Sequence, residues 1–134
     1  MSKLVQTSGK RKRAIARATL CAGKGHVLVN NRPVSSIQPS MLRLRLQEPL
    51  LLADKLADGI DITVKVVGGG PTSQIDAARL AIARGLVAFT NSNALKSIYL
   101  DYDRLLLVAD VRHKESAKPN SHGQARSKVQ KSYR

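Results

Sequence analysis

Residues 60–90 read IDITVKVVGGGPTSQIDAARLAIARGLVAFT, and this stretch decides the fold. Ile60, Ile62, Val64 and Val66 alternate with Asp61, Thr63 and Lys65, the period of two that lays one face of a strand on a core. Gly68-Gly69-Gly70-Pro71 ends the strand, and the longest helix of the chain is predicted from about Thr72 to Thr90. Thr72 or Ser73 supplies a side-chain oxygen to cap its exposed amides. Ala77, Ala81, Gly85 and Ala88 form a stripe of small residues, which lets this helix approach a sheet closely. A half-buried strand followed by such a helix is the unit of a layered α/β architecture.

Upstream, Ala14, Ala16, Ala18, Leu20 and Ala22 alternate with Ile15, Arg17, Thr19 and Cys21, a second strand with Arg17 on its less buried face. Gly23-Lys24-Gly25 reads as a tight turn that returns His26–Val29 as the partner strand of a hairpin. Asn30-Asn31-Arg32-Pro33 is a further turn. Gln38–Ala57 is helical, with Pro39 in the first turn, and Pro49 is expected to divide it into helices over 39–47 and 49–57. Downstream, Ala94–Tyr102 reads as a short helix, and Arg104–Val111 reads equally as strand or helix. The expected fold class is α/β (α+β), a small two-layer sandwich with helices on a mixed sheet. It occupies residues 1–111, a globular RNA-binding domain with a basic N-terminal strand, and an extended basic tail follows over 112–134.

The charge is concentrated at the two ends. Of a formal net charge of +14, residues 1–24 carry +7, residues 112–134 carry +6, and the 87 residues between them carry +1. Like charges in water resist compaction, so these arms are expected to find their partner outside the chain, on a polyphosphate whose condensed counterions they release. The first cluster, Lys10, Arg11, Lys12 and Arg13, runs directly into the predicted strand at Ala14. At full extension Lys114–Arg134 reaches on the order of 70 Å, against a radius of gyration of roughly 12 Å for the body. Trp is absent and Phe89 is the only Phe, so backbone and shape recognition fit better than base stacking. On the long helix Asp76 stands three residues before Arg79 and is its expected ion-pair partner. Arg84 has no such neighbour and is the better RNA candidate.

Other chemistries find little support. Cys21 is alone, which points to a reducing compartment. No apolar run is long enough to span a membrane and the start is not a secretory signal, so a cytosolic location is expected. The glycine run before a helix resembles an anion cradle, but no Gly-Lys-Ser/Thr follows and the nucleotide P-loop pattern is not met. Cys21 and His26 are the only close pair of soft ligands, too few for tetrahedral zinc, and no cofactor is called for. Asp101 and Asp103 read as turn formers, and no nucleophile elbow surrounds any Ser. No catalytic residue is assigned.

Four segments in order resemble one family. Gly9–Ala18 (GKRKRAIARA) is similar to the opening motif of the ninth universal small-subunit ribosomal protein, and Gly68–Leu86 to its central motif. Tyr102–Arg112 (YDRLLLVADVR) and the terminal QKSYR of Gln130–Arg134 resemble its archaeal and eukaryotic branch. Val111 departs from that branch, which usually has Pro there, and leaves the turn into the tail less sharply fixed.

The resemblance implies a fold like the second domain of ribosomal protein S five, with a left-handed βαβ crossover where the general rule expects a right-handed one. It implies a non-enzymatic place in the head of the small subunit, among neighbouring ribosomal proteins. Lys10, Arg11, Lys12, Arg13, Arg17, Arg84, Arg112, Lys114, Lys118 and Arg126 would then meet ribosomal RNA. Lys128, Lys131, Tyr133 and above all Arg134 would meet the peptidyl-site tRNA. Two rival readings share the general fold, and the first of them also the basicity. One is an RNA-binding subunit like the protein part of ribonuclease P, and the other is a phosphate-binding enzyme that uses the glycine loop. Co-purifying RNA separates the first from the ribosomal reading, and nucleotide titration tests the second.

Overall fold

The computed structural model describes residues 3–126. Five strands form one mixed sheet: β1 (Leu4–Arg11), β2 (Ala14–Ala22), β3 (Val27–Val29), β4 (Arg32–Pro33) and β5 (Ile60–Val67), in the spatial order β1-β2-β5-β3-β4. Three helices, α1 (Ser40–Ala53), α2 (Pro71–Thr90) and α3 (Asn93–Tyr102), make the second layer. This is the expected two-layer α+β sandwich with helices on a mixed sheet.

The inward faces of β2 and β5 are those their alternation predicts. Ala14, Ala16, Ala18 and Leu20 are buried with Ile60, Ile62, Val64 and Val66, and Ala77, Ala81, Ile82 and Leu86 of α2 lie on them. The small-residue stripe works as read as far as Gly85, where an added Cβ would run into the Leu20 side chain. Ala88 is exposed and takes no part.

The basic N-terminal segment, expected to order only on an external partner, is β1. It pairs antiparallel with β2 over its whole length, from Leu4 opposite Cys21 to Arg11 opposite Ala14. The connecting turn is Lys12-Arg13, with Lys12 in the left-handed region at φ 52°. Hairpin signals rest on Gly, Asn or Asp at such positions, and here a lysine stands there instead. Two contacts fix β1 to α2. Thr7 Oγ1 donates to Ala81 O at 2.8 Å. Gly9 is buried so tightly that a Cβ would meet the α2 backbone, including Ala81 N at 2.8 Å.

The expected hairpin of β2 with residues 26–29 does not form. β5 lies between them, antiparallel to β2 and parallel to β3, and β3 reaches β5 through α1. Asp61 of β5 explains the turn, since its Oδ1 accepts from the backbone amides of Lys24 and His26 at 2.8 and 2.9 Å. Those two amides hold the Asp61 carboxyl below its usual value. The Gly23–Gly25 turn is therefore tied to the central strand and not closed on its own hairpin.

Pro49 does not divide the first helix. α1 runs through it because Leu46, Pro49 and Ala53, spaced three and four, share its buried face, and that packing offsets the roughly 3 kcal/mol of an interior proline. The buried Tyr99 hydroxyl donates to Pro49 O at 2.7 Å, and burial pushes the Tyr99 phenol well above its ordinary value. α2 starts at Pro71, with Gly70 as cap residue and no side-chain cap, so neither Thr72 nor Ser73 has the role expected of it. Pro71 carries no N–H, so it removes one of the four orphan amides of the first turn, and Gly70 has no side chain to cap the others. Arg104–Leu106 forms a single 3-10 turn, and no further helix or strand occurs among the described residues 107–126.

Candidate nucleic-acid interface

The two cationic ends meet at one end of the molecule. The β1–β2 turn and the start of the tail flank the N-terminus of α2, enclosing a shallow concavity of about 760 Å³. Lys12 and Arg13 line one side, Arg112, His113 and Lys114 the other, and Gly69, Gly70 and Ser73 the floor. Gly68 and Gly69 turn the chain there with φ of 80° and 69°, a conformation that side chains disfavour. The α2 dipole adds partial positive charge to the same floor.

An ion cluster holds this end together. Asp110 accepts from Arg112 through its backbone amide (3.0 Å) and its guanidinium (2.7 Å), and Arg11 reaches the same carboxylate at 2.8 Å. Arg112 first, with Arg11 behind it, holds the Asp110 carboxyl far below the usual carboxylate range. Asp76 pairs with Arg45 at 3.0 Å and lies 3.8 Å from Arg11. It does not pair with Arg79, contrary to the expectation from spacing. Arg79 is only 5 % exposed and binds Glu48 of α1 and Asp103 beyond α3, the latter at 3.0 Å. Asp76 is taken up by Arg45 and Arg11, and the interior guanidinium of Arg79 is matched by two carboxylates from other elements.

The predicted RNA-contacting residues therefore divide. Lys12, Arg13 and Lys114 are exposed and line the concavity. Arg112 lines it too, its side chain 81 % exposed although Asp110 holds one edge of the guanidinium. Lys10 and Arg17 are exposed elsewhere, on the outer face of the sheet. Arg11 also lines the concavity, but its guanidinium is half-buried and paired with Asp110. Arg84 is half-buried and braces β1 against the tail root, donating to Ser8 O at 3.1 Å and Leu107 O at 2.9 Å. Both guanidiniums thus have internal work that one-dimensional spacing did not show. Lys118 and Arg126 both pair with Glu115, at 3.2 and 3.0 Å. Lys128, Lys131, Tyr133 and Arg134 lie outside the described residues. Sequence reading passed over Lys65, which the register sets directly opposite Arg17. Cross-strand position was the only signal for it, and the strand order was not known.

Fold and charge define a small cationic α+β protein whose two basic ends converge on one surface. Among the described residues no cluster of His, Cys, Asp or Glu could hold a metal ion, and no helix is long and apolar enough to cross a membrane. The family model for ribosomal protein S9/S16 matches residues 9–134, and the chain belongs to that family, whose members are structural components and not enzymes. The chain is 51% identical over 130 residues to the small ribosomal subunit protein uS9 of Thermoplasma volcanium, covering 97% of this chain and 98% of that one. It is 48% identical over 132 residues to that of Methanothrix thermoacetophila, covering 98% and 99%. With that of Methanococcus vannielii it shares 44% over 133 residues, again covering 98% and 99%. Archaeal members stand among these relatives, in keeping with the archaeal and eukaryotic branch expected from the motifs.

Proposed function

We propose that this chain is a structural constituent of the small ribosomal subunit head, working in translation on cytoplasmic ribosomes. Its cationic end rests on ribosomal RNA, and its C-terminal tail, from residue 112, contacts phosphates of the peptidyl-site tRNA. Family membership supports the ribosomal role. The observation that carries the RNA contact is the convergence of Lys12, Arg13, Arg112 and Lys114 around the start of α2. Asp110 is engaged by Arg11 and Arg112, and no ion pair holds Lys12, Arg13 or Lys114 among the described residues, which leaves them free for phosphate.

Cationic contacts to phosphate fix position without reading sequence, which suits a tail that must accept every tRNA. Arg134 can engage two phosphate oxygens at once, so Arg134→Lys is not an equivalent exchange. Lys128 and Lys131 follow the same RNA path, and Tyr133 lies beside the terminal contact. The experiment is deletion of Lys128–Arg134 in the full chain. Subunit incorporation is expected to persist while peptidyl-site tRNA dissociates faster. Unchanged dissociation removes the tail from the tRNA contact.

A further inference from the structure

The sheet has a face that α1–α3 do not cover. Gln6, Ser8 and Lys10 of β1, Ile15, Arg17 and Thr19 of β2, and Thr63, Lys65 and Val67 of β5 alternate outward. Gln6, Ser8, Arg17, Thr19, Thr63 and Lys65 line a depression of about 450 Å³ on it. The register places Ser8, Arg17 and Lys65 in one row across three strands, with Lys10 on the diagonal from Arg17.

Like charges directly opposite on neighbouring strands are destabilising, and Arg17 opposite Lys65 is such a pair. Neither they nor Lys10 make an ion pair among the described residues. The acid on this face of the three strands is Asp61, at the far end, and its carboxylate is engaged by the Lys24 and His26 amides. The free protein thus carries an uncompensated cationic row flanked by hydroxyls, a charge pattern complementary to an anionic surface.

Resting on the ribosomal reading above, we infer that this open sheet face, centred on Arg17 and Lys65, is a second RNA-docking surface that takes the backbone of double-helical RNA, separate from the concavity at the start of α2. No aromatic side chain stands among these outward residues, so unpaired bases have nothing to stack on. Arginine, lysine and hydroxyl groups match phosphate oxygens and the 2′-hydroxyls of an A-form minor groove.

The test is a salt titration of the full chain with a fully paired RNA duplex, with poly-uridylate and with polyglutamate. Four proteins are compared: the parent, Arg17→Ser with Lys65→Ser, Lys65→Gln alone, and Lys12→Ser with Arg13→Ser in the concavity. Loss of two phosphate contacts lowers the slope of log affinity on log salt by about 1.4–1.8, so between about 50 and 200 mM salt the sheet-face double variant loses roughly tenfold less affinity for the duplex than the parent. Lys65→Gln is expected to show about half that change in slope. Both sheet-face variants are expected to melt no lower than the parent at low salt, since a repulsive pair is relieved. Unchanged duplex affinity and slope in the sheet-face variants, with the concavity variant weakened, overturns this inference and leaves the ribosomal reading standing. Duplex binding indifferent to both sets overturns the RNA contact itself. A larger change on poly-uridylate than on the duplex overturns the double-helical assignment, and a change confined to polyglutamate makes the surface a protein-docking site instead.

Discussion

Replacing Gly9 by alanine tests how β1 is held. An added Cβ at Gly9 meets backbone atoms of α2, among them Ala81 N at 2.8 Å, and neither strand nor helix backbone can rotate away as a side chain could. Overpacking of this kind costs about 1–3 kcal/mol, and rigid neighbours put it in the upper half of that range. Removing a glycine from a strand returns about 0.5–1 kcal/mol. The net expectation is a destabilisation of about 1–2.5 kcal/mol, at roughly 3–5 °C in melting temperature for each kcal/mol in a chain of this size. Gly59 is the control. An alanine Cβ there meets nothing within 4 Å, so Gly59→Ala is expected to gain about 0.4–1 kcal/mol through the unfolded chain. Urea titration of both variants, with midpoints compared at equal slope, reads the difference. If Gly9→Ala is as stable as the parent, or if the two substitutions shift the midpoint alike, the close contact of β1 with α2 is refuted.

Two further outcomes follow from the same packing. Tyr99→Phe removes the side-chain donor to Pro49 O, a carbonyl that also takes part in the α1 ladder, and is expected to cost about 0.5–1.5 kcal/mol in a denaturant titration, with RNA affinity unchanged; a neutral result means that the hydroxyl adds nothing to the ladder bond. Asp61 has a lowered folded pKa, so as pH falls the unfolded chain takes up the proton first. Its contribution is full above the ordinary carboxylate range and is lost as pH drops through the folded value. Asp61→Asn should therefore lower the melting temperature at neutral pH and converge with the parent in acid, whereas a constant offset across that range contradicts the assigned amide bonds.

The legible parts of the sequence were those governed by local periodicity. The alternation in Ala14–Ala22 and Ile60–Val67 and the small residues Ala77, Ala81 and Gly85 fixed which faces meet, because burial imposes itself residue by residue along a strand or helix. Strand order was not legible. His26–Val29 follows a glycine turn and reads as the mate of β2, but pairs with β5 because Asp61 captures the turn amides from 35 residues away. β1 was hidden by its own charge and by a Lys-Arg turn with no glycine to announce it. At the RNA-facing end, sequence reading found the cations but not their allocation. Arg11 and Arg84 are spoken for by Asp110, Ser8 and Leu107, contacts that no spacing rule encodes, and Lys65 acquires meaning only once the register sets it against Arg17.

The order of strands has a consequence for how the chain comes into being. β1 and β2 can close as a hairpin as soon as residue 22 is available, yet the layer that covers their alanine-rich inner side is α2, whose last turn ends at Thr90. At roughly 5–20 residues per second of synthesis, that side stays wet for several seconds. During the wait the nascent polypeptide is a greasy ribbon studded with cations, soluble only by mutual repulsion, and vulnerable to any polyanion that reaches it before its own helix does.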